Sequence, residues 1–196
     1  MEYSKVLMLV KHGIRFIKIS MNPSATLQEQ MDAAFDNYFE LSEILQADMT
    51  VLLDGENESQ HWRRNFIRSS AALVEGYAHC LRDMCAVCFE CISPEITKKE
   101  AEVIRNEKKF DVNDRIKLTL RVAYKLFELS PAPDFGGNEW PKAQKVLAKR
   151  HLLMHPKTPS DLVVTDASWE EIRKDTIWII EQLFNFFSLL NEKYRS

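Results

Sequence analysis

The chain has 196 residues, of which 45% are apolar, and its formal net charge is −3. This length predicts one domain, the apolar share excludes a disordered chain, and the small negative charge excludes a generally basic coat for nucleic acid. Because the chain has only five Gly and seven Pro, it lacks the turns that a large all-β fold needs, so long helices are favoured.

The N-terminal residues 1–24 have a different pattern from the rest. Two apolar segments, Val6–Val10 and Ile14–Ile19, flank a His12-Gly13 pair, and glycine readily adopts the positive φ of a tight turn. This pattern predicts a small N-terminal β-hairpin or extension, with a short helix as the alternative. The first apolar run is shorter than a signal-peptide core, and no stretch is as long as a membrane span, so we predict a cytoplasmic protein with no membrane partner.

Residues 25–196 are predicted to form one all-α domain. Apolar residues recur there at steps of three and four, which is typical of amphipathic helices, and the connections between them are short. Two capping boxes, Thr26 with Glu29 and Ser168 with Glu171, are expected to begin the first and last helices. The sequence thus predicts a bundle of about five long helices and one short charged helix, at about 26–54, 58–91, 94–108, 111–127, 138–154 and 168–194.

The clearest chemical motif is an arginine, a histidine, three apolar residues and a second histidine, at Arg150, His151 and His155. Inside an ideal helix, Arg150 and His155 are about 140° apart, from roughly 100° per residue. The helix must loosen before Pro156, so His155 can turn toward the face that Arg150 uses. A histidine transfers protons near neutral pH and an arginine binds two phosphate oxygens, so the pair suits phosphodiester cleavage without a metal. The alternative is a surface arginine and a histidine stabilised by the helix dipole.

Basic residues surround this motif. No acidic residue lies between positions 142 and 160, and we expect Lys145 and Lys149 to bind a phosphate backbone there. Arg64 and Arg68, four positions apart on the second helix, are expected to face one phosphate. The alternative is that Arg63, Arg64 and Arg68 all lie on a solvated helix face. Further along that helix, Glu75 is expected either to orient a catalytic Arg or His or to pair with a surface lysine. The basic strip between positions 142 and 160 consists of Lys142, Lys145, Lys149, Arg150 and Lys157.

The motif Arg150-His151-x3-His155, which follows an amphipathic helix near the end of an all-α domain, resembles the Arg-polar-x3-His motif of HEPN domains. Residues 63–83 also look like a long early helix of that family, and the resemblance covers about residues 58–190. It implies a helical bundle, commonly a homodimer, in which the Arg and His of two protomers meet at a shared cleft. Many HEPN domains are metal-independent ribonucleases that act as toxins or defence effectors, some paired with a nucleotidyltransferase antitoxin. Others have lost activity and serve as binding modules.

Two hypotheses follow for this chain. In the first it is a homodimeric endoribonuclease that needs no cofactor or metal. His155 is then the general acid/base, Arg150 stabilises charge on the phosphoryl oxygens, and His151 helps to orient the RNA. In the second it is a non-catalytic module that binds a phosphate-bearing ligand or a protein partner. The apolar run Phe184–Phe187 covers more than one helix face, which suggests burial against a partner subunit.

Two metal-binding alternatives are weaker. His151 and His155 are four positions apart and could bind Zn²⁺ or Ni²⁺, but the neighbouring sequence offers no carboxylate as a third ligand. The four cysteines invite an iron–sulfur interpretation, but their spacing follows a continuous helical stripe without a wrapping loop. We therefore predict that the thiols are reduced and buried in the core. The cysteines are Cys80, Cys85, Cys88 and Cys91.

Overall fold

A computed structural model describes residues 25–54, 59–89 and 95–194 of the chain, and these residues form an all-helical bundle. The hairpin predicted at 1–24 lies outside the described residues. Short 3₁₀ turns at Glu107–Lys109 and Pro159–Leu162 connect some of the helices. The α-helices of the described part are α1 Ala25–Asp54, α2 Gln60–Cys88, α3 Lys98–Arg105, α4 Val112–Leu126, α5 Glu139–Met154 and α6 Asp166–Tyr194.

The helix starts agree with the sequence in some places and differ in others. Asp111, where the sequence predicts the fourth helix to begin, caps α4 by accepting a hydrogen bond from the Asp114 N–H. The capping box predicted at Ser168 and Glu171 is wrong, because the last helix begins at Asp166, where the Thr165 hydroxyl accepts from the Ser168 N–H. The first helix begins at Ala25, one residue before Thr26.

Helix α2 occupies the centre of the bundle and contacts every other α-helix. Its buried face carries large apolar side chains at helical spacing, including Leu73, Tyr77 and Met84. Gly76 allows α1 to approach closely, because a Cβ at this position would lie 2.9 Å from Cδ1 of Leu45. None of the described helices is both long and apolar enough to cross a membrane.

The aromatic run at the end of α6 is part of this core. Phe184, Phe186 and Phe187 are all buried within the single chain, and Phe187 stacks on Tyr38 of α1 with ring centroids 4.0 Å apart. The expectation that this run packs against a partner subunit is therefore wrong, because α1, α2 and α4 already cover it.

The described cysteines confirm the core-packing prediction. Cys80, Cys85 and Cys88 form no disulfide with one another, and each has at most 2% of its surface exposed. Cys91 lies outside the described residues.

The packing of α2 against α5 positions the basic motif. Position 64 of α2 lies near residue 162, position 68 near residue 153, and position 75 near residue 150. Residue numbers thus rise along α2 while they fall along α5, so the two helices run antiparallel. This arrangement brings the arginines of α2 next to the C-terminal end of α5, although the two segments are about 85 positions apart in the sequence.

Candidate functional site at the end of helix α5

The motif lies where α5 ends. His155 is the C-cap residue with φ −130° and ψ 58°, and its N–H still donates to the carbonyl of His151 at 3.0 Å. The loosening expected before Pro156 is therefore observed. Between the histidines, Leu153 is buried at 1% exposure, so it anchors the last turn to the core. The helix end is thereby fixed even though the residues around it are exposed.

The two histidines lie side by side on the surface. The ring centroids of His151 and His155 are 5.0 Å apart, with 51° between the ring planes. Both residues are exposed, as are Leu152 and Met154 beside them. Solvent or a ligand can therefore reach both imidazoles at once, and each ring can exchange a proton with a bound molecule.

The side chain of Arg150 extends toward the neighbouring helix α2. Its Nε lies 3.5 Å from Oε1 of Glu75, and both side chains are about two-thirds covered, at 31% and 27% exposure. Of the two roles expected for Glu75, this geometry favours contact with the arginine over pairing with a lysine. The guanidinium makes no hydrogen bond or ion pair with His151 or His155 among the described residues, so the motif separates into an arginine held by α2 and an exposed histidine pair.

Three of the predicted phosphate-binding residues contact main-chain carbonyls within the motif or in the connection after it. Arg68 donates to the Leu153 carbonyl at 3.1 Å, and Arg64 donates to the Leu162 carbonyl at 3.2 Å. Lys149 donates to two carbonyls of the connection between α5 and α6, those of Asp161 at 3.3 Å and Val163 at 2.9 Å. These side chains hold the connection in place. Their full charges remain, because a carbonyl carries only a partial charge.

Lys145 lies apart from this group. It is exposed on α5 and forms no hydrogen bond or ion pair within the described part of the chain. Lys142, one turn earlier, pairs with Glu139 at 2.7 Å. Burial and the neighbouring acids raise the pKa of Asp175 on α6, while Lys142 and Lys145 oppose this rise. Lys142 and Lys145, at the start of the basic strip, therefore lie near carboxylates. Lys149 is adjacent to the motif, and Arg150 is part of it.

One acidic residue near the motif, Asp161, is committed to local structure. Its Oδ2 accepts hydrogen bonds from the N–H groups of Lys157 at 2.8 Å and Thr158 at 2.9 Å. These bonds lower the pKa of Asp161 and keep its carboxylate charged. Asp161 therefore shapes the turn that follows Pro156, and the cations contributed by α2 and α5 outnumber the acids beside them.

Two residues that sequence reasoning missed fasten this connection to α2. Arg63, expected on a solvated face, is 7% exposed and donates to the Val164 carbonyl at 3.0 Å and to Oδ1 of Asp166 at 2.6 Å. Gln60 exchanges two hydrogen bonds with the main chain of Val164, at 2.7 and 2.8 Å. The spacing of Arg63, three positions before the buried Phe66, was the signal that it lies on the inward face.

Within the described ranges, no group of three or more His, Cys, Asp or Glu residues is arranged to hold a metal ion. Comparison of the chain with protein-family models, curated proteins and solved structures finds no match to any of them.

Proposed function

We propose that the protein is a HEPN-like, metal-independent endoribonuclease. The observation that carries the proposal is the exposed pair His151 and His155, 5.0 Å apart, at the end of a helix that also bears Arg150. The cations Arg64, Arg68 and Lys149 surround the same helix end. This combination supplies proton transfer and phosphate recognition in one place.

The proposed chemistry requires no metal or cofactor. His155 takes the proton from a ribose 2′-hydroxyl, and the resulting oxygen attacks the adjacent phosphorus. The bond from phosphorus to the 5′-oxygen breaks, the leaving oxygen receives a proton from solvent water, and His155 returns its proton to solvent, so the products are a 2′,3′-cyclic phosphate and a 5′-hydroxyl. Arg150 stabilises negative charge on the non-bridging oxygens, while His151 orients the substrate.

Glu75 has a supporting role in this proposal. By holding Nε of Arg150 from the α2 side, its carboxylate leaves the terminal nitrogens of the guanidinium to face a phosphate. Binding of the RNA strand extends over Lys149, Lys145, Arg64 and Arg68. A single chain keeps Arg150 and the histidines apart, which supports a homodimer in which a second copy completes the site. A role as a toxin or defence effector, with a nucleotidyltransferase antitoxin as partner, belongs to the same proposal.

The second candidate function is a non-catalytic module that binds a phosphate-bearing ligand or a protein. It is favoured by the contacts of Arg64, Arg68 and Lys149, whose donors hold carbonyls of the chain itself. In this alternative the cations and Arg150 serve the structure, and their charge attracts a ligand without cleaving it.

The decisive experiment is cleavage of single-stranded RNA in the presence of EDTA. His155→Ala is expected to lose about 10²–10⁴-fold in rate as a general acid/base, and Arg150→Ala about 10²–10³-fold as an electrostatic stabiliser. The double variant should be little worse than the poorer single variant, because the two residues act as a unit. His61→Ala and Arg121→Ala, at exposed positions elsewhere, are the matched controls.

The outcomes separate the two functions. Cleavage at the wild-type rate by both Arg150→Ala and His155→Ala contradicts the catalytic assignment. A wild-type protein that binds RNA in a salt-dependent way without cleaving it supports the binding module. Light scattering at about 50 μM, well above micromolar dissociation constants, tests the dimer, and a monomeric mass contradicts it.

A further inference from the structure

A cleft separate from the histidine pair lies between α2 and α4, and Glu75 lines it. One face of α2 and one face of α4 form its walls, and the 3₁₀ turn after α3 closes one end. The volume is about 200 Å³, which suits a small metabolite better than a drug-sized ligand. The lining residues are Glu75, Ala78, His79, Glu107, Val112, Arg115, Ile116 and Thr119.

The carboxylates of this cleft already have cationic partners. Oε2 of Glu107 lies 2.6 Å from Nη1 of Arg82, and Oε1 of Glu75 lies 3.5 Å from Nε of Arg150. These contacts offset the acidic charge at the edges of the cleft.

The guanidinium of Arg115 is different. Its Nε is buried without a hydrogen-bond partner, and no carboxylate of the described residues lies within ion-pair distance of it. One turn further along α4, Thr119 lines the same cleft, and Ala78 and Ile116 supply apolar surface between the two helices. A half-buried cation without an anion, next to a hydroxyl and an apolar wall, is the arrangement expected of an anion site.

We propose that this cleft binds a small organic monocarboxylate. The two oxygens of a carboxylate match the fork of a guanidinium, and a short apolar body fits against Ala78 and Ile116. Glu75 and Glu107 remain in the walls, so a phosphate dianion would be repelled more strongly than a carboxylate monoanion. The site is separate from the histidine pair, although Glu75 contacts both regions.

The test is a titration of the full-length ¹⁵N-labelled protein with acetate, butyrate or inorganic phosphate, with chloride used to hold ionic strength constant. The Nε–H resonance of Arg115 is assigned by its absence from the spectrum of Arg115→Lys. It should shift and saturate at millimolar butyrate. Butyrate should bind about tenfold more tightly than acetate, because two more methylenes are buried, and phosphate more weakly than either.

Variants locate the site. Arg115→Gln should abolish saturable binding, and Arg121→Gln, at an exposed position of the same helix, should retain it. His155→Ala, which removes the proposed general acid/base without changing a partner of the cleft, should also retain it, so this outcome does not depend on the ribonuclease proposal. The proposal is overturned if the Arg115 resonance does not move, if phosphate binds more tightly than the carboxylates, or if Arg115→Gln binds like the wild type. If Arg115→Gln does not fold, the wild-type titration still tests the proposal through the Arg115 resonance and the order of ligand affinities.

Discussion

Replacement of Arg68 by Gln tests whether the cations beside the motif hold the protein together or only bind a ligand. The Arg68 guanidinium donates to the Leu153 carbonyl at 3.1 Å. That carbonyl lies in the last turn of α5, where helical carbonyls lack a partner within the helix. Arg68 therefore caps α5 from the side of α2, immediately before His155.

The expected cost follows from this geometry. A hydrogen bond to a charged donor contributes about 1.5–3 kcal/mol to stability. Because Arg68 is only half-buried, water can replace part of this interaction. We therefore expect Arg68→Gln to lower the free energy of unfolding by about 1.5 kcal/mol, and the midpoint temperature by about 3–6 °C for a domain of this length.

Urea and thermal unfolding, followed by circular dichroism, measure this effect. Lys145→Gln is the matched control, since it removes the same charge from an exposed side chain without a hydrogen bond, and it should change stability by less than about 0.5 kcal/mol. Equal stabilities of the two variants would refute the capping role of Arg68. If Arg68 caps α5, Arg68→Gln can reduce RNA cleavage in two ways: by displacing His155 and by removing a phosphate contact.

Two further predictions concern buried ionisable groups. Burial raises the pKa of Glu100, but the Thr97 N–H and the Lys125 ammonium outweigh it and lower the pKa overall. The stability that Glu100 adds relative to Glu100→Gln should therefore be present at pH 7 and disappear as the pH falls below about 4. Urea unfolding of both proteins at the two pH values measures this difference. A difference that does not change with pH contradicts the prediction. Burial, with a smaller effect of nearby Asp83, raises the pKa of Cys80 to about 11, and burial also raises that of Cys85. Alkylation of Cys80 by iodoacetamide at pH 8 should be about 100-fold slower in the native protein than in urea, as followed by peptide mass spectrometry, and equal rates would contradict this.

Much of the helical architecture was determined by the sequence alone, because it depends on residues close together in the chain. The three-to-four periodicity located the five long described helices, and the Pro156 restriction correctly placed the end of α5 at Met154. A local rule failed at the start of α6, which begins two residues earlier than the predicted box. A suitable Ser or Thr with a Glu three positions later does not exclude an earlier start when a neighbouring residue can cap.

Only the tertiary structure decided what the charged side chains contact. The sequence left Glu75 with two roles, and the rotation of α2 against α5 brought it to Arg150, a residue 75 positions away. The same packing turned Arg63 inward, directed Arg68 to a carbonyl in the last turn of α5, and directed Arg64 to a carbonyl of the connection that follows it. Such contacts depend on the relative rotation and direction of two helices, which the packing of apolar faces determines. Helical periodicity identifies the helix face on which each charged residue lies, but the packing of the helices in the bundle determines which residue it contacts.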